Sequence, residues 1–195
     1  MAEALIVVDV QNDFCPGGAL AVPQGDRVVP ALNHYLERAT RAGVRVYASR
    51  DWHPSATAHF ASGGGPWPAH CVQGTAGAAF HPDLRLPASA AIVTKGTGAT
   101  DDGYSAFEGR LADGRALADD LRAHAITTLY IGGLATDYCV LQTALSARRE
   151  GFDTVWLSDA SLPVEVHQGD GQRAVVAMTA VGVRSATLAA FHPGA

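Results

Sequence analysis

The strongest constraint on this chain is a rhythm of apolar runs. Near-continuously apolar, β-branched stretches at Ala4–Val10, Val44–Arg50, Ala90–Lys95, Ile126–Gly132, Phe152–Leu157 and, more briefly, Val183–Ala186 alternate with amphipathic stretches near Arg27–Ala42, Arg115–His124, Thr136–Glu150 and Gln172–Val181. A strand with one wet face alternates apolar and polar side chains, whereas a strand apolar throughout must be covered on both sides. Strands of that kind separated by helices predict an α/β fold: a doubly wound parallel β-sheet with helices on both faces, in three layers. At 195 residues the chain is expected to be a single domain, 1–195.

Composition removes several functional classes. The net charge is −5 and no cluster of Lys and Arg interrupts it, so nucleic acid and anionic membrane are not expected partners. Cys15, Cys71 and Cys139 form an odd set without zinc-ligand spacing, against a disulfide scaffold. The N-terminal run MAEALIVVDVQ lacks a basic flank and meets Asp9 early, so it reads as neither signal peptide nor membrane span. A soluble, cytoplasmic protein is expected. Among thirteen Arg there is a single Lys, Lys95, and that asymmetry marks it as a residue to follow.

In open α/β sheets, ligands bind beyond the carboxyl ends of the strands. Those ends carry Asp9, Asp51, Lys95 and the segment GGLATDYC with Cys139. Asp9 and Lys95 could accept and hold a proton from Cys139, which lies in the first turn of a helix whose expected N-cap is Thr136, a position that favours a thiolate. The bland alternatives are a loop-capping Asp and a cysteine that is only core filling. Convergence of all three favours chemistry. Cys15 and Cys71 lack such company and read as ordinary thiols.

Two connections exceed routine length, Asp51 to Ser89 and Gly96 to Gly114. The first, a candidate metal-binding loop, holds Asp51, His53, His59 and His70, a mixed N/O donor set that suits Zn²⁺, Fe²⁺ or Mn²⁺. The bland reading is solvated histidines. His34, His81, His124, His167 and His192 default to surface or capping roles. Phe14, Trp67, Tyr104 and Tyr138 are aromatic faces able to clamp a flat ring. No nucleotide cofactor is expected, because GTGATD lacks the third Gly of a dinucleotide fingerprint and no phosphate-binding G-x-x-x-x-G-K-[ST] occurs.

The segments VDVQNDFCPGGALAV, SRDWHP, PWPAHCVQGT, FHPDL, VTKGT, DDGYSAFEG, GGLATDYCV and SDASLPVEVH together resemble the nicotinamidase/pyrazinamidase branch of the isochorismatase-like cysteine hydrolases, over nearly the whole chain. The resemblance implies a Rossmann-like, isochorismatase-like sheet and a catalytic Asp9, Lys95 and Cys139. It further implies metal ligands Asp51, His53 and His70, with His59 at a position that varies among members. A non-proline cis peptide is expected between Leu134 and Ala135, with an oxyanion hole from the N–H groups of Ala135 and Cys139. Phe14 and Trp67 fall on ring-stacking positions. Ala69 replaces a frequent Pro, and Tyr138 replaces a His found in some members, which bears on substrate breadth. The implied activity is hydrolysis of nicotinamide, and of pyrazinamide, to the acid and ammonia through a Cys thioester, in NAD salvage. One divalent ion is implied, zinc ahead of iron or manganese. A small-molecule amide is the expected partner, and a homo-oligomer is left open. The competing readings are a hydrolase of another amide, such as a streptothricin-type lactam, then isochorismatase activity, then a non-catalytic metal-binding or partner-binding protein.

Overall fold

The computed structural model describes residues 2–194. Its core is a six-stranded parallel sheet in the order β3-β2-β1-β4-β5-β6, with β1 Ala2–Val8, β2 Arg45–Asp51, β3 Ala91–Lys95, β4 Ile126–Leu134, β5 Asp153–Leu162 and β6 Arg184–Ala186. The period-2 geometry of β1 sends Leu5 and Val7 to one face, where α1 (Val28–Arg41) brings Val29, Leu32 and Leu36. Ala4, Ile6 and Val8 point to the other face, onto Leu117 and Leu121 of α2 (Leu117–Ala123), Ala144 and Ala147 of α3 (Leu141–Arg149), and Met178 of α4 (Asp170–Ala180). Both faces of the central strand are therefore dry, as its unbroken apolar run requires.

Local chemistry sets the ends of these elements. Pro30 sits in the first turn of α1, where its missing N–H costs nothing. The helix stops at Gly43, whose φ of +70° suits the left-handed position. There Val44 N–H donates to Ala39 O (2.9 Å) and Gly43 N–H to Thr40 O (3.2 Å), the pair of bonds that closes a Schellman motif.

Three of the differences from the sequence expectation have a cause in the structure. β1 ends at Val8, two residues early, because Asp9 turns the chain at φ +49° and its carbonyl accepts from Gln11 N–H at 2.8 Å. β5 continues past Leu157 to Leu162, since the polar residues that broke its pattern find partners. Asp159 accepts from Tyr35 Oη–H (2.6 Å) and Leu188 N–H (2.9 Å), and Ser161 Oγ pairs with Thr136 Oγ at 2.6 Å. The third difference is the helix expected from Thr136. Residues Thr136–Val140 form a π-helical turn with Ala135 as the flanking residue, and the α-helix starts only at Leu141. Thr136 caps nothing, because its hydroxyl is engaged by Ser161.

The long connection after β2 is tied down by the turn after β1. Gln11 donates its amide to the carbonyls of Asp51 (2.8 Å) and Ala78 (2.9 Å) and accepts from Asp51 N–H (2.8 Å). Asp13 accepts from the N–H groups of Cys71 (2.7 Å) and Ala19 (3.1 Å). One short polar segment thus fixes both ends of a loop that has no sheet of its own to lie on.

Candidate active site

Strand order reverses between β1 and β4, so the connections leaving these two strands part and open a crevice at their carboxyl ends. Asp9 leaves β1 there and Cys139 lies in the π turn after β4, while Asp51 and Lys95 face each other in register at the ends of β2 and β3. All four side chains are buried.

Lys95 organises the cluster. Its ammonium lies 2.7 Å from Asp9 Oδ2, forms a close ion pair with Asp51 Oδ1, donates to the Gly103 carbonyl and sits 3.6 Å from Cys139 Sγ. Ser49 Oγ–H donates to the other Asp9 oxygen at 2.7 Å. Oxygens of Asp9 and Asp51 and the Cys139 sulfur fall within 4.8 Å of one another. Burial alone would drive the lysine neutral, but the carboxylates of Asp51 and Asp9 overcome it and hold its pKa well above the ordinary value. Burial also pushes Asp51 up, and there Lys95 prevails, leaving it at about 2. For Asp9 burial outweighs the pull of Lys95, and its pKa is raised.

Cys139 corrects a second expectation. Placement at a helix start was expected to favour a thiolate. In the π turn, burial dominates instead and raises the thiol well above its ordinary range, against the pull of Lys95. Burial thus favours the thiol over the thiolate. An oxygen of Asp9, whose own pKa is raised, lies within 4.8 Å of that sulfur.

Beside this cluster, one ring nitrogen from each of His53, His59 and His70 falls within 4.8 Å of the others. His70 Nδ1 is 2.8 Å from Pro68 O and His59 Nδ1 is 3.2 Å from Asp102 Oδ1. A carbonyl and a carboxylate only accept, so both imidazoles carry their hydrogen on Nδ1 and leave Nε2 as a lone pair. Burial lowers both histidines, His70 to about 4, which keeps the rings neutral. Both nitrogens of His53 are buried with no hydrogen-bond partner among the described residues. Nε2 of His53 is 3.8 Å from Asp51 Oδ2, the oxygen turned away from Lys95. Neutral imidazoles, an orphaned ring and a shared carboxylate fit a borderline divalent ion.

The crevice above Cys139 is walled by Phe14, Trp67, Tyr104 and Tyr138 and bordered by Ala135. Trp67 Nε1–H donates to Tyr104 Oη at 2.8 Å, and Tyr138 packs edge-on to Trp67 at 5.0 Å. Leu134-Ala135 is a cis peptide. Every residue singled out for a site lines this one crevice or the buried cluster below it. The remaining thiols, Cys15 and Cys71, are buried and raised by burial, Cys15 to about 11. His124 bonds the Asp120 carbonyl at the end of α2 (2.8 Å), a capping role. Sequence reasoning did not find Ser49, Asp102 or the Gly103 carbonyl. A serine inside the apolar run of β2 was the one readable signal.

The family described as Isochorismatase domain matches residues 3–190. The nicotinamidase of Escherichia coli (strain K12) is 41% identical over 206 residues, covering 96% of this chain and 95% of its own length. The nicotinamidase/pyrazinamidase of Mycobacterium tuberculosis is 44% identical over 169 residues, covering 83% and 87%. The crystal structure of the pyrazinamidase of Pyrococcus horikoshii in complex with zinc is 43% identical, with a TM-score of 0.88 over 96% of this chain and 99% of that one. A match this long, at these identities and on this backbone, places the chain in the isochorismatase family of hydrolases.

Proposed function

We propose that this protein is a cysteine amidohydrolase of nicotinamide, acting also on pyrazinamide, and that it works as one domain in the cytoplasm on small amides rather than on nucleic acid. The observation that carries the reading is the buried Asp9–Lys95–Cys139 cluster opening into an aromatic crevice beside three clustered imidazoles.

Asp9 takes the proton of Cys139 as the sulfur attacks the amide carbon. The transfer leaves the cluster's net charge unchanged and moves the negative charge from one neighbour of Lys95 to another, so no charge is created in the dry interior. The N–H groups of Ala135 and Cys139 stabilise the oxyanion, each well-placed donor contributing about 3–4 kcal/mol. Asp9, now protonated, returns its proton to the departing nitrogen and ammonia leaves. Asp9 then takes a proton from water as the water oxygen attacks the thioester, and as the C–S bond breaks to release the acid Asp9 gives that proton to the Cys139 sulfur, restoring the thiol. Asp51, His53, His59 and His70 would hold a divalent ion, zinc in our reading, that supplies a Lewis acid for the ring nitrogen and so orients the ring. Phe14 and Trp67 hold the ring faces.

The crevice is walled by the aromatic faces of Phe14, Trp67, Tyr104 and Tyr138, a lining that favours a single flat ring over a streptothricin-type lactam. The test is ammonia release from nicotinamide by the zinc-loaded wild type and Cys139→Ala. Release should fall by at least ~10⁴-fold in the variant. A variant within tenfold of wild type would remove Cys139 from the chemistry, and a folded, zinc-loaded wild type that releases nothing would redirect the search to other amides.

A further inference from the structure

The second long connection, between β3 and α2, lies against the imidazole cluster and makes contacts that the activity described above does not use. Ala99 O accepts from Ala58 N–H (2.8 Å) and from Thr57 Oγ–H (3.0 Å), and Thr57 Oγ in turn accepts from His59 N–H (3.2 Å). Asp101 folds the connection by accepting from Gly98 N–H at 2.8 Å. Asp102 then reaches His59 Nδ1 at 3.2 Å, Gly103 O accepts from Lys95, and Tyr104 accepts from Trp67. Successive residues of one strap therefore touch the imidazole loop, the lysine and the aromatic wall.

Among these contacts the one at Asp102 is chemically directional. His59 is buried, whereas the Asp102 carboxylate that meets its ring is 68% exposed. A carboxylate oxygen accepts the contact, which places the hydrogen on Nδ1 and aims the Nε2 lone pair away from Asp102. Metal-ligating histidines ordinarily have such a partner for their second nitrogen. His70 has one in the Pro68 carbonyl, and Asp102 is its counterpart for His59.

We infer that Asp102 is a positioning residue that holds His59 in the tautomer and orientation of a third imidazole ligand. The strap bonds from Ala99 set the backbone of His59, and Asp102 sets its ring. This inference rests on the cation-binding reading of the His53–His59–His70 cluster.

The test is zinc affinity by chelator competition on the full chain for Asp102→Ala, Asp102→Asn, His59→Ala, His53→Ala and the double variant Asp102→Ala/His59→Ala. Loss of an outer partner of this kind typically lowers affinity by about 10–100-fold, and that loss is expected of Asp102→Ala. Asp102→Asn keeps an acceptor without the charge and should recover most of the affinity. In the His59→Ala background Asp102→Ala should have no further effect, and the visible spectrum of the cobalt-loaded Asp102→Ala protein should match that of His59→Ala. An equal loss in both backgrounds would assign Asp102 a general electrostatic role and overturn the inference. If His53→Ala also binds zinc like wild type, the cation-binding reading itself falls, and this inference with it.

Discussion

Lys95→Met keeps the length of an unbranched side chain and removes the one charge that holds two buried carboxylates together. In the native chain Lys95 is 1% exposed, Asp9 0% and Asp51 4%, so none of the three has water to fall back on. Without the ammonium, Asp9 and Asp51 would face each other with oxygens within 4.8 Å. Two like charges that close in a dry interior do not both ionise, so one carboxyl should fold protonated, with its pKa raised above an unfolded value of about 4. The sign follows from that. A carboxyl raised in the folded state costs nothing below its unfolded pKa and loses stability as the pH climbs, at about 1.4 kcal/mol per pH unit for one proton. Three pH units at that slope amount to about 4 kcal/mol near neutrality. This agrees with the ~3–5 kcal/mol lost when a buried pair is broken at one partner. The assay is urea denaturation of chelator-treated wild type and variant across a pH series from about 5 to 8. The deficit should be small at the acidic end and grow steadily, and adding Asp9→Asn should recover most of it. A deficit under ~1 kcal/mol at neutral pH, or one that does not change with pH, would refute the charge account of this cluster.

Gly96 has φ +65°, and a Cβ there would sit 2.5 Å from Cε1 of His53. Gly96→Ala should therefore push the His53 ring aside and cost about 1–3 kcal/mol of backbone strain; chelator competition should show weakened zinc binding, and wild-type affinity would contradict the packing. Tyr35 and Tyr47 are raised by burial and by donating to Asp159 and Asp120 at 2.6 Å each, so their stabilisation is complete below about pH 10 and is lost as the pH climbs from there toward their raised folded values. Tyr47→Phe should flatten the alkaline limb of the stability curve, and an unchanged limb would show that the phenol does not contribute.

The layers of the fold were legible because burial on both faces leaves unbroken apolar runs, and β1 to β4 all write them. The end of β5 was not. Ser158, Asp159 and Ser161 look like a turn in isolation, and only partners distant in sequence, the side chains of Tyr35 and Thr136 and the backbone of Ala186 and Leu188, make them acceptable in a strand. The π turn was hidden for the same reason. Thr136 before an apolar stretch reads as an N-cap, and nothing local reveals that its hydroxyl is already engaged by Ser161. Strand order, too, is a long-range property, although its consequence for the site was readable. Whatever the order, the carboxyl ends of parallel strands lie on one edge, and that alone brought Asp9, Asp51, Lys95 and Cys139 into one group.

Asp51 marks where residue-by-residue reading ran out. From sequence it shares one sheet edge with Lys95, yet as a carboxylate two residues before His53 it reads only as a ligand, with Lys95 in the catalytic set. In the structure its two oxygens divide between those sets: Oδ1 pairs with Lys95, and Oδ2 lies 3.8 Å from His53 Nε2. Gln11 fixes the Asp51 backbone from both sides, so the carboxylate has little freedom to favour one neighbour by moving. The two halves of the site then share one charge. Any change that draws negative charge on Asp51 toward the imidazoles weakens its hold on Lys95, and the ammonium turns more fully to its other partners, Asp9 and the Cys139 sulfur. That shift favours the anionic forms of both groups. A single carboxylate between the imidazoles and the lysine thus couples the charge on the Cys139 sulfur to the imidazole loop.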